Sequence, residues 1–398
     1  MRLSLSMIVR DEEASLGACL TSVRDFVDEM VVVDTGSTDD TVAIAQGAGA
    51  VVHHLPWPGD FAAARNVALE RVSGDWVLVL DADERLVPAA IDRLRQAMAQ
   101  PDALLITLLR QECGAQQSPY SSVSRLFRRH PSIRWHRAYH ALVDDSVEAL
   151  RRREPHWRLL HLAEPALLHE GYRPERIQQG GKAQRLREAM ESELQQRPTD
   201  PYTCAKLGGL EISEGRRDRG IALLRRGLAH CPKHAHPERY ELLLHLAIAL
   251  RQEAPAAARQ LYEEALALPL DPRLSLAARV NLASLLLDQG LTAAAVALDR
   301  ETTRIAPELA LGWLQLGLSL RRDGDAAGAI TAYRQALAIE PSRAEAHQNV
   351  AVALLLTGDV LGARHHFHAA ISHLEAQGRG EAAKALRQKV IAMVNLPP

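Results

Sequence analysis

The residues best placed to do chemistry are two carboxylates one position apart, Asp81 and Asp83, at the end of the apolar run Leu78-Val79-Leu80. A hard divalent cation that also holds a diphosphate needs few protein oxygens set close together, because phosphates and water fill the rest of its shell. A chain leaving a strand can turn both carboxylates toward one such ligand. A strand ending in a plain polar turn would read the same way, so the pair takes its meaning from its company. Asp34 ends a second β-branched run, and Arg65 carries a fork of donors suited to a diphosphate or a base carbonyl. Each has a bland alternative: Asp34 as the cap of the next turn, Arg65 as a surface ion-pair residue.

These residues need elements to hold them. Strand-like runs at Leu3–Val9, Met30–Asp34, Val51–Leu55 and Trp76–Leu80 alternate with helical patterns around Glu12–Arg24, Thr38–Gly49 and Phe61–Val72. Strands separated by single helices imply right-handed crossovers and a mainly parallel, Rossmann-like sheet. Its ligand belongs beyond the carboxyl ends of the strands, where Asp34, Asp81 and Asp83 fall. Ser37, ahead of Thr38-Asp39-Asp40, reads as a helix N-cap, and Asp39 as a structural first-turn acid. From Ala103 to His169 the apolar stretches shorten and a basic segment (Arg125, Arg128, Arg129, Arg134, Arg137) mixes with aromatics and histidines, which predicts strands and loops. Pro174 then opens a polar connector helix to about Gln196.

The remainder is helical and periodic. Gly290, Gly324 and Gly358 lie 34 residues apart, as do Pro307 and Pro341, and Ala295, Ala329 and Ala363. That period is the tetratricopeptide signature, and Trp313, Leu316, Gly317, Ala329, Tyr333, Ala336 and Pro341 fill its motif positions. Small residues let paired helices approach, and the large ones fill the groove between hairpins. Weaker units fit Pro201–Pro232 and Arg239–Pro269, which makes about five, with Gly378–Val394 as the cap. The expected domains are therefore 1–173, a connector at 174–197, and an all-α repeat solenoid over 198–398.

Bulk properties narrow the partners. A net charge of −2 gives no basic excess for nucleic acid. The four cysteines, Cys19, Cys113, Cys204 and Cys231, are scattered without a CxxC, which argues for a reducing compartment. The start, MRLSLSMIVRDEE, is too short in apolar residues for a signal peptide, and no run of about eighteen apolar residues could span a membrane. A cytoplasmic protein without a transmembrane segment is expected.

Four segments occur in order: Ser6-Met7-Ile8-Val9-Arg10-Asp11-Glu12-Glu13, Val31-Val32-Val33-Asp34-Thr35-Gly36-Ser37-Thr38-Asp39, Asp60-Phe61-Ala62-Ala63-Ala64-Arg65-Asn66 and Asp81-Ala82-Asp83. Together they resemble the family-2 glycosyltransferases of GT-A fold, over about residues 1–175. With the repeats, the arrangement is similar to the branch that includes sublancin-type peptide S-glycosyltransferases. The resemblance implies a GT-A catalytic domain using a UDP-sugar with Mn2+ or Mg2+ and inverting the anomeric carbon. It places Val9, Asp11, Glu13, Asp34, Arg65, Asp81 and Ala82 at the donor, with Asp34 on the uracil, where a carboxylate accepts the imide N–H. It makes Asp83 the direct metal ligand, with His169 completing the shell or touching the diphosphate, unless that histidine is simply satisfied under the connector.

One departure bears on mechanism. The family often carries His-Glu after an aromatic-basic strand, but here His140 is followed by Ala141; the later His-x-Gly-Tyr survives as His169-Glu170-Gly171-Tyr172. Displacement needs a base to deprotonate the acceptor, so His140, Asp144 or Asp145 is expected to serve, or the acceptor is a more acidic thiol. The repeats imply a peptide or protein acceptor, or self-association as a homo-oligomer. A lipid-linked glycan or polysaccharide acceptor is the other transferase reading, and a catalytically impaired scaffold is the rival from another class. A nucleotidyltransferase fits worst, since Arg10-Asp11-Glu12-Glu13 has the wrong charge to cradle a triphosphate.

Overall fold

The β-branched runs of the N-terminal third form strands β1 (Leu3–Val9), β2 (Glu29–Asp34), β3 (Val51–His54) and β4 (Trp76–Val79), in a computed structural model that describes residues 1–115, 119–137, 141–171 and 182–394. Helices α1 (Leu16–Val23), α2 (Thr41–Gly47) and α3 (Phe61–Arg71) alternate with them. β1 pairs in parallel with β2 and β4, and β2 with β3. The sheet has eight strands in the order β3-β2-β1-β4-β7-β6-β8-β5, adding β5 (Glu84–Leu86), β6 (Ala103–Glu112), β7 (Tyr120–Arg128) and β8 (Arg158–His169). β7 runs antiparallel to β4 and β6, whereas β8 is parallel to β6. This is the expected α/β GT-A fold, with its parallel half first and a mixed half beyond β4.

Alternation along the strands builds a core on each face. Trp76, Leu78 and Leu80 pack with Leu16, Leu20 and Val23 of α1 and with Leu94 and Met98 of α4 (Ile91–Met98). Val77 and Val79 point the other way, onto Ala62 and Leu69 of α3 and Val147 and Leu150 of α5 (Asp144–Arg153). Helix α5 interrupts the stretch expected to hold only strands and loops. Its signals are electrostatic, with Asp144 and Asp145 in the first turn and Arg151, Arg152 and Arg153 in the last.

The N-cap expected at Ser37 is corrected. Helix α2 begins at Thr41 after Asp40. Asp34 instead recruits the backbone N–H of Ser37, so the chain turns before it can coil.

Met1–Pro232 and Lys233–Pro398 form two compact units. The first includes α6 (Lys182–Gln196), α7 (Pro201–Ser213) and α8 (Arg217–His230), joined by Met190, Leu207 and Leu223. Arg187 and Arg216 pair with the fully buried Glu211 in the same corner. The Pro174 start expected for the connector lies outside the described residues.

The second unit is a series of helical hairpins: α9 (His236–Leu250) with α10 (Pro255–Leu266), α11 (Leu276–Asp288) with α12 (Thr292–Ile305), α13 (Ala310–Arg322) with α14 (Ala326–Ile339), and α15 (Ala344–Leu356) with α16 (Val360–Ala376). Helix α17 (Gly380–Val394) closes the last face. The 34-residue period has a backbone cause: Gly290, Gly324 and Gly358 take φ of 75°, 92° and 85° at the turns, where a side chain would be strained. No helix among the described residues is long and apolar enough to cross a membrane.

Candidate active site

The carboxylate pair lies just past β4, in a tight turn from Asp81 to Glu84. The Asp81 N–H donates to Glu84 Oε2 at 2.9 Å, and the Glu84 N–H returns to the Asp81 carbonyl. This reciprocal closure fixes both acids at the carboxyl edge of the sheet, where a doubly wound fold places its ligand.

Two arginines grip Asp81 from different elements. Arg65 Nη2 donates to Oδ1 at 2.6 Å, and Arg125 Nη2 to Oδ2 at 2.5 Å. Burial pushes the Asp81 carboxyl up, but Arg125 and Arg65 overcome it and hold the group far below the usual range. Arg65 is buried against Trp135, its guanidinium carbon 4.8 Å from the ring centre. Asn66 fixes that tryptophan by donating to its carbonyl at 3.0 Å and accepting from its N–H at 2.9 Å. Arg65 Nη1 is buried and has no hydrogen-bond partner among the described residues. A donor left over at this edge is the provision an anionic ligand needs.

Arg125 reaches Asp81 through a β-bulge. Ile106 pairs with Leu126 and Leu108 with Val123, so Ser124 and Arg125 both stand opposite Thr107. A bulge re-aims side chains. Here Arg125 turns to Asp81, and Ser124 donates to Asp144 Oδ1 at 2.8 Å.

Asp83 faces His169, which ends β8. His169 Nε2 lies 3.4 Å from Asp83 Oδ2, and Nδ1 lies 2.5 Å from Glu112 Oε2. Burial pushes the imidazole down, yet the hydrogen bonds to Asp83 and Glu112 dominate and raise its pKa to about 9. Glu112 also takes Arg110 Nε at 2.9 Å, and Arg110 Nη1 meets the fully buried Glu84 at 2.5 Å. Arg125 comes within 3.5 Å of the same Glu84 oxygen. The result is one chain of alternating charge: His169, Glu112, Arg110, Glu84, Arg125, Asp81, Arg65.

A divalent cation fits the Asp83–His169 pair. Asp81 is committed to two arginines, whereas Asp83 Oδ2 and His169 Nε2 converge at the separation of two ligands on one ion. Among the described residues no group of three or more such side chains is arranged to hold a metal. The described residues thus offer two ligands, as sites do that share the cation with substrate phosphates.

The donor residues expected near the base lie in two loops stitched together. Asp34 Oδ1 and Oδ2 accept from the Ser37 N–H, and Oδ2 also from the Gly36 N–H and His54 Nδ1. Burial opposes its charge, but the bonds from Ser37, Gly36 and His54 prevail and lower its pKa. It therefore shapes the turn after β2. Asp11 has φ +52°, accepts from the Thr38 N–H at 2.7 Å and donates its own N–H to Ser37 Oγ. Glu13 accepts from the Asp40 N–H at 3.2 Å, and its N–H donates to Asp39, bearing out a structural Asp39. The Val9 carbonyl takes both the N–H and hydroxyl of Thr35. Ala82 is buried beneath the Asp81 turn.

The base candidates separate. His140 lies outside the described residues. Asp145 is exposed and faces Arg197 at 3.4 Å and Arg137 at 3.8 Å. Asp144 is different: burial raises its pKa above the usual range against the Ser124 hydrogen bond, and its Oδ2 is buried without a partner among the described residues. The sequence reading missed Glu84, Arg110 and Glu112 altogether. Their one visible mark is charge at the start of β5 and at the end of the mostly apolar β6.

The glycosyl transferase family 2 pattern matches residues 4–160. A TPR repeat-containing protein of Synechococcus elongatus is 44% identical over 385 residues, covering 96% of this chain and 94% of that protein. A lipopolysaccharide core biosynthesis glycosyltransferase of Rhizobium meliloti is 39% identical over 108 residues, 26% of this chain and 39% of its own. The SPbeta prophage-derived glycosyltransferase SunS of Bacillus subtilis is 26% identical over 207 residues, 50% of this chain and 46% of its own. This chain thus spans less than half the length of the last two.

Proposed function

Since the chain belongs to the same family as that TPR repeat-containing protein, with a family-2 glycosyltransferase domain ahead of its repeats, we propose that it transfers a sugar from a UDP-sugar, with Mn2+ or Mg2+, to a peptide or protein acceptor held by the repeats. The observation carrying the donor half is the charge layout at the sheet edge. Arg65 keeps one buried donor unspent beside Asp81, and Asp83 and His169 converge next to it.

Asp83 and His169 would hold the cation, which when bound neutralises charge on the departing diphosphate. The protein's own groups supply the rest. Arg65 Nη1 donates to the diphosphate, and Arg125 keeps Asp81 ionised and oriented toward the ribose. Asp34, already held by Ser37 and Gly36, presents its remaining lone pairs to the uracil imide. Asp144 takes the acceptor proton through Oδ2, its raised pKa making it a stronger base than an ordinary aspartate. Attack on the face opposite the leaving group inverts the anomeric centre.

The likeness to a lipopolysaccharide core biosynthesis enzyme supports a second acceptor reading, a polysaccharide or lipid-linked glycan. The repeats favour the peptide, because stacked hairpins offer an extended surface for a chain. The test is release of UDP from a panel of UDP-sugars with Mn2+, with an Asp83→Ala control, followed by transfer to peptide and glycan acceptors. Metal-dependent release abolished by the substitution supports the donor assignment. No release, with no thermal shift on adding any nucleotide, refutes it in favour of a scaffold.

A further inference from the structure

Glu112 sits at the end of β6 with almost none of its surface exposed, and its two carboxylate oxygens have separate tasks. Oε1 takes Arg110 Nε and Nη2, each at 2.9 Å, and the Ser121 hydroxyl. Oε2 takes His169 Nδ1 at 2.5 Å. Beside Arg110 the carboxylate is ionised and can only accept, so the proton of this last bond is on His169 Nδ1. The opposite ring nitrogen, Nε2, then faces Asp83.

The backbone makes the same choice. β6 and β8 are parallel and pair Glu112 directly with His169, while β5 pairs Glu84 with His169 from the other side. The histidine is thus set between two strands whose acids belong to one charge chain. Gly171 lies close over the ring: a Cβ there would come within 2.5 Å of His169 Nε2. A bond on one nitrogen and a tight neighbour at the other leave the ring one orientation.

We propose that Glu112 is the positioning residue of this site: it turns the His169 ring so that Nε2, beside Asp83 Oδ2, becomes the second protein ligand of the divalent cation. This rests on the transferase reading above and adds to it a residue that never touches the substrate. Through Arg110, Glu84 and Arg125 the same carboxylate is tied to Asp81, so the metal ligands and the Asp81 grip keep a fixed spacing. Partners that orient a metal-bound histidine typically contribute about 10–100-fold to metal affinity.

The test is Mn2+ binding to the full chain with UDP present, read by titration and by pulsed electron paramagnetic resonance for nitrogen coupled directly to the ion. The unsubstituted protein is expected to show one coupled nitrogen. Glu112→Ala should bind Mn2+ about 10–100-fold more weakly and lose that coupling with its circular dichroism unchanged. Glu112→Gln, whose amide oxygen can still accept from Nδ1, should keep the coupling at intermediate affinity and covers the case in which the alanine variant fails to fold. Glu112→Ala that keeps both affinity and coupling, while Asp83→Ala loses binding, overturns the role of Glu112 and leaves the transferase reading intact. If the unsubstituted protein and Asp83→Ala bind Mn2+ alike with no coupled nitrogen, the metal reading itself fails and this one with it.

Discussion

Replacing Glu84 by alanine tests whether the charge chain holds the site together or merely decorates it. Glu84 is fully buried and accepts from Arg110 Nη1 at 2.5 Å and from the Asp81 N–H at 2.9 Å, with Arg125 Nη2 at 3.5 Å. Removing one member of a buried ion pair costs about 3–5 kcal/mol, because the partner is left charged and dry. Arg110 retains Glu112 and Arg125 retains Asp81, so the lower end, about 3 kcal/mol, is the expected loss. For a unit of this size that corresponds to a fall in Tm of about 6–12 °C. Glu84→Gln keeps an oxygen for the Asp81 N–H and should lose about half as much. Tryptophan fluorescence is a suitable probe, since Trp57, Trp76, Trp135 and Trp157 lie in the first unit and Trp313 alone in the second. A shift below 2 °C for the alanine variant, under conditions where a Leu78→Ala control melts clearly lower, would refute the claim that Glu84 anchors the network.

Other outcomes follow from single contacts. Gly171→Ala should weaken Mn2+ binding by about tenfold with little change in Tm, because its Cβ must push the His169 ring away from Asp83; unchanged Mn2+ titration would count against a fixed ring. If Asp144 is the base, kcat/KM should fall on the acid side with a midpoint above that of an ordinary aspartate, since its pKa is raised and only the ionised form accepts a proton; Asp144→Asn should abolish turnover without loss of UDP binding. In the repeats, Asp299 stands 34 residues before Tyr333 and 68 before Phe367, so a carboxyl occupies the buried aromatic position, held by the Ser319 hydroxyl with its pKa pushed up to about 7 by burial. The folded state then holds a proton the unfolded chain releases near pH 4, so stability of the second unit should decline from pH 4 to 7 and stay low above it. Asp299→Asn should raise Tm at pH 8 and leave it nearly unchanged at pH 4, and a variant insensitive to pH would remove Asp299 as the cause.

Much of the scaffold was legible because it depends on local pattern. Leu3–Val9 reads directly as β1, and Gly290, Gly324 and Gly358 mark turns that only glycine enters without strain. Asp81 and Asp83 were legible as a pair, and the family resemblance divided their roles, but the arginines that hold Asp81 were not legible, since they come from positions 16 and 44 residues away. Arg125 was visible only as one of a run of basic residues. What singles it out is the bulge opposite Thr107, and register between strands leaves no trace in a single sequence. Glu112 and Glu84 were invisible for the same reason, being paired with His169 by strand order rather than spacing. Ser37 misled because a serine before acids is a good cap, but its hydroxyl accepts from the Asp11 N–H instead, while Asp34 holds its own N–H.

The balance of charge carries a consequence for the order of binding. Arg65, Arg125, Arg110 and a protonated His169 face Asp81, Asp83, Glu84 and Glu112, so without a cation the charges of the cluster balance. A diphosphate approaching alone meets no net positive charge, in a partly buried setting where each unit charge is felt more strongly than in water. A divalent cation in place of the His169 proton makes the cluster net positive, so UDP and Mn2+ should each raise the other's affinity by the same factor. Asp83→Asn separates this account from one in which Asp83 matters only as a ligand. Loss of a ligand alone would weaken UDP binding with Mn2+ and leave it unchanged in EDTA. Removal of the Asp83 charge should weaken UDP binding with Mn2+ yet strengthen it in EDTA, by up to about tenfold, or about 1.4 kcal/mol. Calorimetric titration of UDP into both proteins with and without the metal reads the sign directly, and an EDTA affinity equal to or below that of the unsubstituted chain would show that the charge of Asp83 does not set the order of binding.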